Sequence, residues 1–255
     1  CGAPKPSVPT NDAHANMSLM AGIKAMQKPS GGQAVVTFAI FGGPELSDED
    51  ALNSAIKAAV RRESGKALAR RSRPFVVTAP NNDELPLDVK SLAASLGPAG
   101  AQLLESRFVA FVRYSGRVQP QHRQIRLALA ATVAVADQDQ PIIDVSTRKA
   151  YKQAELTQIL GSKKWLSSQV VPNAERVGER ITLFSRGMAK LGLPDLEMFS
   201  VDKDAARAAF DTFQTTLTAL QERSAAKIGD TVNGVTLGKC KRAPEAIEAD
   251  CVRIP

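Results

Sequence analysis

Apolar positions follow two periods along this chain, and where each period holds predicts the elements. The run QAVVTFAIFGG, residues 33–43, is β-branched and aromatic and ends on paired glycines, which predicts a buried strand. Ser47 then heads DEDALNSAIKAAVRRE. A capping hydroxyl, acids in the first turn and Leu52, Ile56 and Val60 at i, i+4 and i+8 predict a helix with one buried stripe. PFVVTAP, residues 74–80, reads as a second strand, and the stretch after it holds a loop and a short helix stopped at Gly97-Pro98. In RFVAFVRYSG, residues 107–116, Phe108, Ala110 and Val112 lie on one side and Val109 and Phe111 on the other, so this strand belongs in a sheet covered on both faces. HRQIRLALAATVAVADQD reads as an alanine-rich helix, although alternation from Ile125 to Val135 leaves a strand open, and PIIDV supplies a short strand. Leaving aside the short helix before Gly97, residues 33–145 run strand, helix, strand, strand, helix, strand, the order of a split βαβ, ferredoxin-like unit.

Residues 146–255 form the second half of the same body. YKQAELTQILGS reads as a helix, ERITLFSRG (179–187) as a strand, and Gly192 and Pro194 mark a helix stop before another strand. The strongest periodic signal follows: DKDAARAAFDTFQTTLTAL puts Ala206, Phe210, Phe213, Leu217 and Leu220 on one stripe, predicting a long amphipathic helix laid on a sheet. Asn233-Gly234, between two short β-prone runs, predicts a two-residue hairpin turn, which a bridge between Cys240 and Cys251 would pin. The expected fold class is therefore α+β, with mostly antiparallel sheets and packed helices.

Residues 1–32 read as a flexible tether: Pro4, Pro6 and Pro9 keep the start extended and Pro29-Ser30-Gly31-Gly32 forms a hinge. Between them Met17, Met20, Ile23 and Met26 make a helical apolar stripe suited to docking on the body or on a partner. Cys1-Gly2-Ala3 and the small, polar, proline-bearing run it opens, CGAPKPSVPTND, resemble the start of mature bacterial lipoproteins. The resemblance implies acyl chains on Cys1, a firm membrane anchor when two or more are present. Gly2, where Asp would resemble an inner-membrane retention signal, implies the outer membrane without saying which side. An ordinary cysteine exposed by proteolysis is the plain alternative. Two stretches, AATVAVADQDQPIIDVSTRKAYKQAEL and SRGMAKLGLPDLEMF, resemble bacterial domains of unknown function and imply an architecture without a mechanism.

The chain has three cysteines, and a Cys240–Cys251 bridge leaves Cys1 as the unpaired one. Such bridges persist in oxidising compartments. A free buried pair is the alternative; two cysteines with no nearby histidine are too few ligands for structural zinc. The net charge of +7 favours acidic surroundings such as lipid head groups, lipopolysaccharide phosphates or cell-wall polymer. Nucleic acid is disfavoured, because aromatics are only 5% of residues and no zinc-finger spacing, RNP-type motif or Gly-rich phosphate loop is present. No run approaches the roughly 18–20 apolar residues of a membrane span.

Candidate chemistry is sparse. Arg61, Arg62, Lys66, Arg70, Arg71 and Arg73 gather near the end of the first helix, where a solvated face suiting the helix dipole competes with an anion-binding patch. His14 falls in the tether, and His122, in QPQHRQ, reads as a surface residue at a helix start. G-x-S-x-G and H-E-x-x-H are both missing. Asp144, at a strand end and followed by Ser146, Thr147 and Arg148, is the one polar cluster worth inspection, with a side-chain-capped turn as its ordinary explanation. No catalytic residue, metal or cofactor is assigned. The sequence leads to an expectation of a lipid-anchored envelope protein, attached to the membrane through its acyl chains. Its role would be non-catalytic, scaffolding or binding a protein partner or cell-wall polymer in a periplasmic or outer-membrane assembly. The alternative is a cell-wall hydrolase with a carboxylate or atypical nucleophile.

Overall fold

A computed structural model describes residues 32–240 and 251–254, apart from 69–72, 83–84, 86–87, 164 and 224–225. The tether residues 1–31, with Cys1 and the methionine stripe, and Arg70 and Arg71 lie outside the described residues. The protein is α+β, with two five-stranded sheets and a separate two-stranded hairpin.

The first sheet has the order β2-β3-β1-β4-β5, formed by Phe75–Pro80, Phe108–Arg117, Gln33–Gly42, Ile142–Asp144 and Lys149–Tyr151 respectively, with every pair antiparallel. Its first four strands have the ferredoxin-like order that the element sequence predicts, with β3 inserted between β1 and β2. Helices α1 (Glu49–Ser64) and α4 (Arg123–Val135) pack together on one face, against Val36, Phe38, Ile40, Ala110 and Val112. On the other face, Ala39, Phe41, Val109 and Phe111 meet Leu92 of α2 (Val89–Ser95) and Leu103 of α3 (Pro98–Glu105). The double-sided apolar pattern of β3 is thus a direct readout of a sheet covered twice.

Several local expectations are corrected. Asp48, not Ser47, caps α1: its carboxylate accepts from the Ala51 N–H at 2.9 Å, while the Ser47 hydroxyl donates to the Pro44 carbonyl inside a preceding 3-10 turn. The short helix expected to stop at Gly97-Pro98 does so as α2, but a second helix, unforeseen in the sequence, follows at once. Pro98 opens α3, since proline lacks only an N–H that the first helical turn leaves unbonded anyway. Residues 123–135 are helical, and the alternating pattern arises because α4 is buried almost all round, from Gln124 to Thr132, leaving no polar face to mark its phase.

The second sheet has the order β11-β12-β8-β7-β6. Strands β6 (Val171–Val177), β7 (Arg180–Arg186) and β8 (Asp195–Asp202) form an antiparallel meander, while β12 (Cys251–Ile254) runs parallel to β8 and antiparallel to β11 (Gly238–Lys239). Helix α6 (Ala206–Gln221) packs across β7 and β8. Phe213, Leu217 and Leu220 of the predicted stripe are buried, together with Thr216, whereas Phe210 is 41% exposed. Between β7 and β8 the helix stop expected at Gly192 ends a 3-10 turn, Met188–Leu191, with Gly192 at φ of 71°. The remaining helix, α5, covers Gln153–Gly161.

Asn233 and Gly234, with φ of 49° and 78°, turn the hairpin of β9 (Thr231–Val232) and β10 (Val235–Thr236). That hairpin stands apart from the disulfide, which was expected to pin it. Cys240 is disulfide-bonded, and the β11–β12 register, Gly238 opposite Arg253 and Lys239 opposite Val252, runs on to set position 240 against position 251. One continuous core runs through both halves, joining Phe38, Ile40 and Leu129 of the first to Leu191, Leu196 and Phe213 of the second.

Candidate functional site

The polar centre of the molecule lies where the two halves meet. Gly187, with φ of 105°, starts the Met188–Leu191 turn, which presses on β1. A Cβ at Gly187 would stand 2.4 Å from the Gln169 carbonyl oxygen, so neither the backbone angle nor the space admits a side chain. The turn carries Lys190 into the interior at 0% exposure, where its Nζ donates to Oδ2 of Asp144, itself 1% exposed, at the end of β4. Gln169 Oε1 stands 3.4 Å from the same nitrogen, and the Phe38 ring centroid lies 5.8 Å away. The Lys190 backbone carbonyl accepts from Gln124 Nε2 of α4 at 2.9 Å. One lysine therefore ties β4, α4, β1 and the segment before β6 to the β7–β8 connection.

Of the cluster singled out at Asp144, the structure brings three members together. Oδ1 of Asp144 accepts from the backbone N–H groups of Ser146 at 3.1 Å and Thr147 at 3.3 Å, an Asx-type turn joining β4 to β5. Arg148, at φ of 59°, completes the turn but is exposed. The Thr147 hydroxyl is buried and has no hydrogen-bond partner among the described residues. Tyr151 lies close enough to Asp144 and Glu155 that their charges, after burial as the main cause, push its phenol up and keep it protonated.

Asp195, at the start of β8, accepts from Ser185 Oγ at 3.0 Å and from the Met188 N–H at 3.2 Å. Burial pushes its carboxyl up to about 6, outweighing those hydrogen bonds and the neighbouring charges of Arg186 and Lys190. Because the folded carboxyl holds its proton more tightly than the unfolded one, the stability it lends is fully present below about pH 4 and lost as pH rises through about 6. Asp195→Asn should flatten that slope, removing about 1–2 kcal/mol of pH-dependent stability, a range set below the full shift because the residue is partly accessible; urea midpoints measured from pH 4 to 7 check this.

The basic residues near the end of α1 are described in part, since Arg70 and Arg71 lie outside the described residues. Arg61, Arg62 and Lys66 are exposed and Arg73 is half-buried. Two further cations brace that end of α1 from α4. Arg123 Nη2 donates to the Ser64 carbonyl at 2.9 Å, and Arg126 pairs with Glu63 at 2.8 Å beneath the Trp165 ring. His122 sits at the start of α4 at φ of 51°, half-buried, and burial holds its imidazole below the ordinary range.

A shallow cleft of about 740 Å³ opens at one end of the first sheet, bordered by Glu45, Glu105, Arg107, Asp137 and Asp139. Glu45 is already engaged, its Oε1 accepting from the Gly43 N–H at 2.6 Å and from Gln140 Nε2 at 2.8 Å. Among the described residues no group of three or more His, Cys, Asp or Glu side chains is arranged to hold a metal ion, and no helix is long and apolar enough to cross a membrane. Sequence reasoning missed Lys190, Gln169 and Asp195, because nothing in a primary sequence shows which lysine of a short turn faces inward. Searches against protein-family models, curated proteins and solved structures give no match to this chain.

Proposed function

We propose that this is a non-catalytic binding or scaffolding protein of a bacterial envelope, held at the outer membrane by acyl chains on Cys1. The observation that supports the compartment is the disulfide at Cys240, a bond that persists outside the reducing cytosol. It agrees with the lipoprotein-like opening CGAPKPSVPTND and with a basic chain suited to acidic head groups or cell-wall polymer. The burial of Asp144 weighs against this residue as the carboxylate of the hydrolase alternative. A carboxylate 1% exposed, with one oxygen given to Lys190 and the other to two backbone N–H groups, cannot reach a polymer. Glu105, Asp137 and Asp139 in the open cleft are the acids through which that alternative could still act.

The test is the intact mass and membrane partitioning of the protein purified from its own host, beside a Cys1→Ser variant. The parent is expected to carry diacylglycerol and an amide-linked acyl chain on Cys1 and to fractionate with the outer membrane, while the variant is released. A bare thiol at Cys1, or residues still attached upstream of it, overturns the anchor. Release of soluble fragments from purified cell wall by the parent overturns the non-catalytic role.

A further inference from the structure

We propose that Lys190 and Asp144 are joined by an intramolecular isopeptide bond, an amide between the lysine Nζ and the aspartate Cγ formed by the folded chain itself. The two side chains lie 46 residues apart in sequence, both completely enclosed, with Nζ against Oδ2.

The hydrogen-bond inventory favours the amide. A buried ammonium has three N–H donors to satisfy. Among the described residues the acceptors around Lys190 are Oδ2 of Asp144 and, at 3.4 Å, Oε1 of Gln169, with the Phe38 ring on another side. Such thin compensation suits a buried charge poorly. After amide formation a single N–H remains, for which Gln169 Oε1 is the waiting acceptor. The new carbonyl oxygen, formerly Oδ1, keeps the N–H bonds from Ser146 and Thr147.

The same groups can carry the reaction. The two backbone N–H groups on Oδ1 stop the carboxyl from rotating and stand where negative charge gathers as the amine adds to Cγ, the task of an oxyanion hole. Fixing both reactants in contact removes the translational cost of a bimolecular encounter. The enclosure keeps out the water that would reverse the step. The ammonium first passes one proton to Oδ2, which a low-dielectric surrounding eases. The neutral amine then adds to Cγ, forming the C–N bond; a second nitrogen-bound proton moves to Oδ2, and the C–Oδ2 bond breaks to release water. Lysine and aspartate give amide and water, with no oxidant, reductant or further reactant.

The bond would fasten β4 of the first sheet to the β7–β8 connection of the second, making the joint between the halves covalent. The test is mass spectrometry of the parent protein, reduced and fully denatured before trypsin. The expected result is an intact mass lower by one water and a branched peptide linking the segments that contain Asp144 and Lys190, with no cleavage after Lys190. Lys190→Arg should restore the missing water and yield the two peptides separately. A parent of full mass whose chain is cut after Lys190 overturns the proposal and leaves a buried ion pair. That measurement needs only the parent, so misfolding of a variant cannot obscure it.

Discussion

Asp144→Ala will lose about 3–5 kcal/mol of folding stability, read as a fall in the urea midpoint, because it strands the Lys190 ammonium in the interior without a counter-charge. The size follows from asymmetry. A buried pair gains little over a well-packed apolar pair, but removing one partner leaves the full desolvation cost of the other. The double replacement Asp144→Leu with Lys190→Met should therefore recover the part due to the stranded charge. Whatever a covalent link contributes by restricting the unfolded chain stays lost. If Asp144→Ala proves neutral, Lys190 reaches solvent and the junction between the halves is looser than its burial indicates. The same residue decides the functional question: a side chain needed to hold two sheets together is structural, and activity lost on its replacement would have to be separated from unfolding.

Phe213→Ala will cost about 3–5 kcal/mol, while Phe210→Ala, three residues earlier on the same helix, stays within about 0.5 kcal/mol. Phe213 is fully buried between α6 and the second sheet and leaves a cavity when truncated; Phe210 is 41% exposed and leaves none. Denaturant unfolding of the two variants side by side measures the phase of α6. Equal losses would mean that the helix is rotated from the orientation described, with both rings inside as the sequence stripe suggests.

Phe210 also shows where sequence reading runs out. Phe213, Leu217 and Leu220 of the expected stripe dock as the spacing indicates, but Thr216 joins them and Phe210, one turn nearer the helix start, stays outside, because a spacing pattern does not show where along the helix the sheet beneath it ends. In the first half β1, α1 and β3 are legible because they have long, unbroken patterns, and their order restricts the sheet to few topologies, whereas α3 is too short to set up a period. Strands β5 and β6 were not legible. They lie at sheet edges, where one side meets solvent, and Lys149, Asn173, Glu175 and Arg176 break any apolar alternation. The Asp144 turn could be read because its partners are two and three residues away, but Lys190 could not. Lysine is almost never fully buried, and only the fold reveals the exception.

The placement of β12 sets an order of events. Its neighbour β8 is synthesised roughly fifty residues earlier, about an α-helix and a hairpin before the strand that covers it arrives. Until then β8 offers an open row of amides and carbonyls to any passing chain, a hazard met by a protein that emerges amino-end first. That edge stays exposed until the last strand docks, so whatever delays the arrival of residues 251–254 lengthens the hazard.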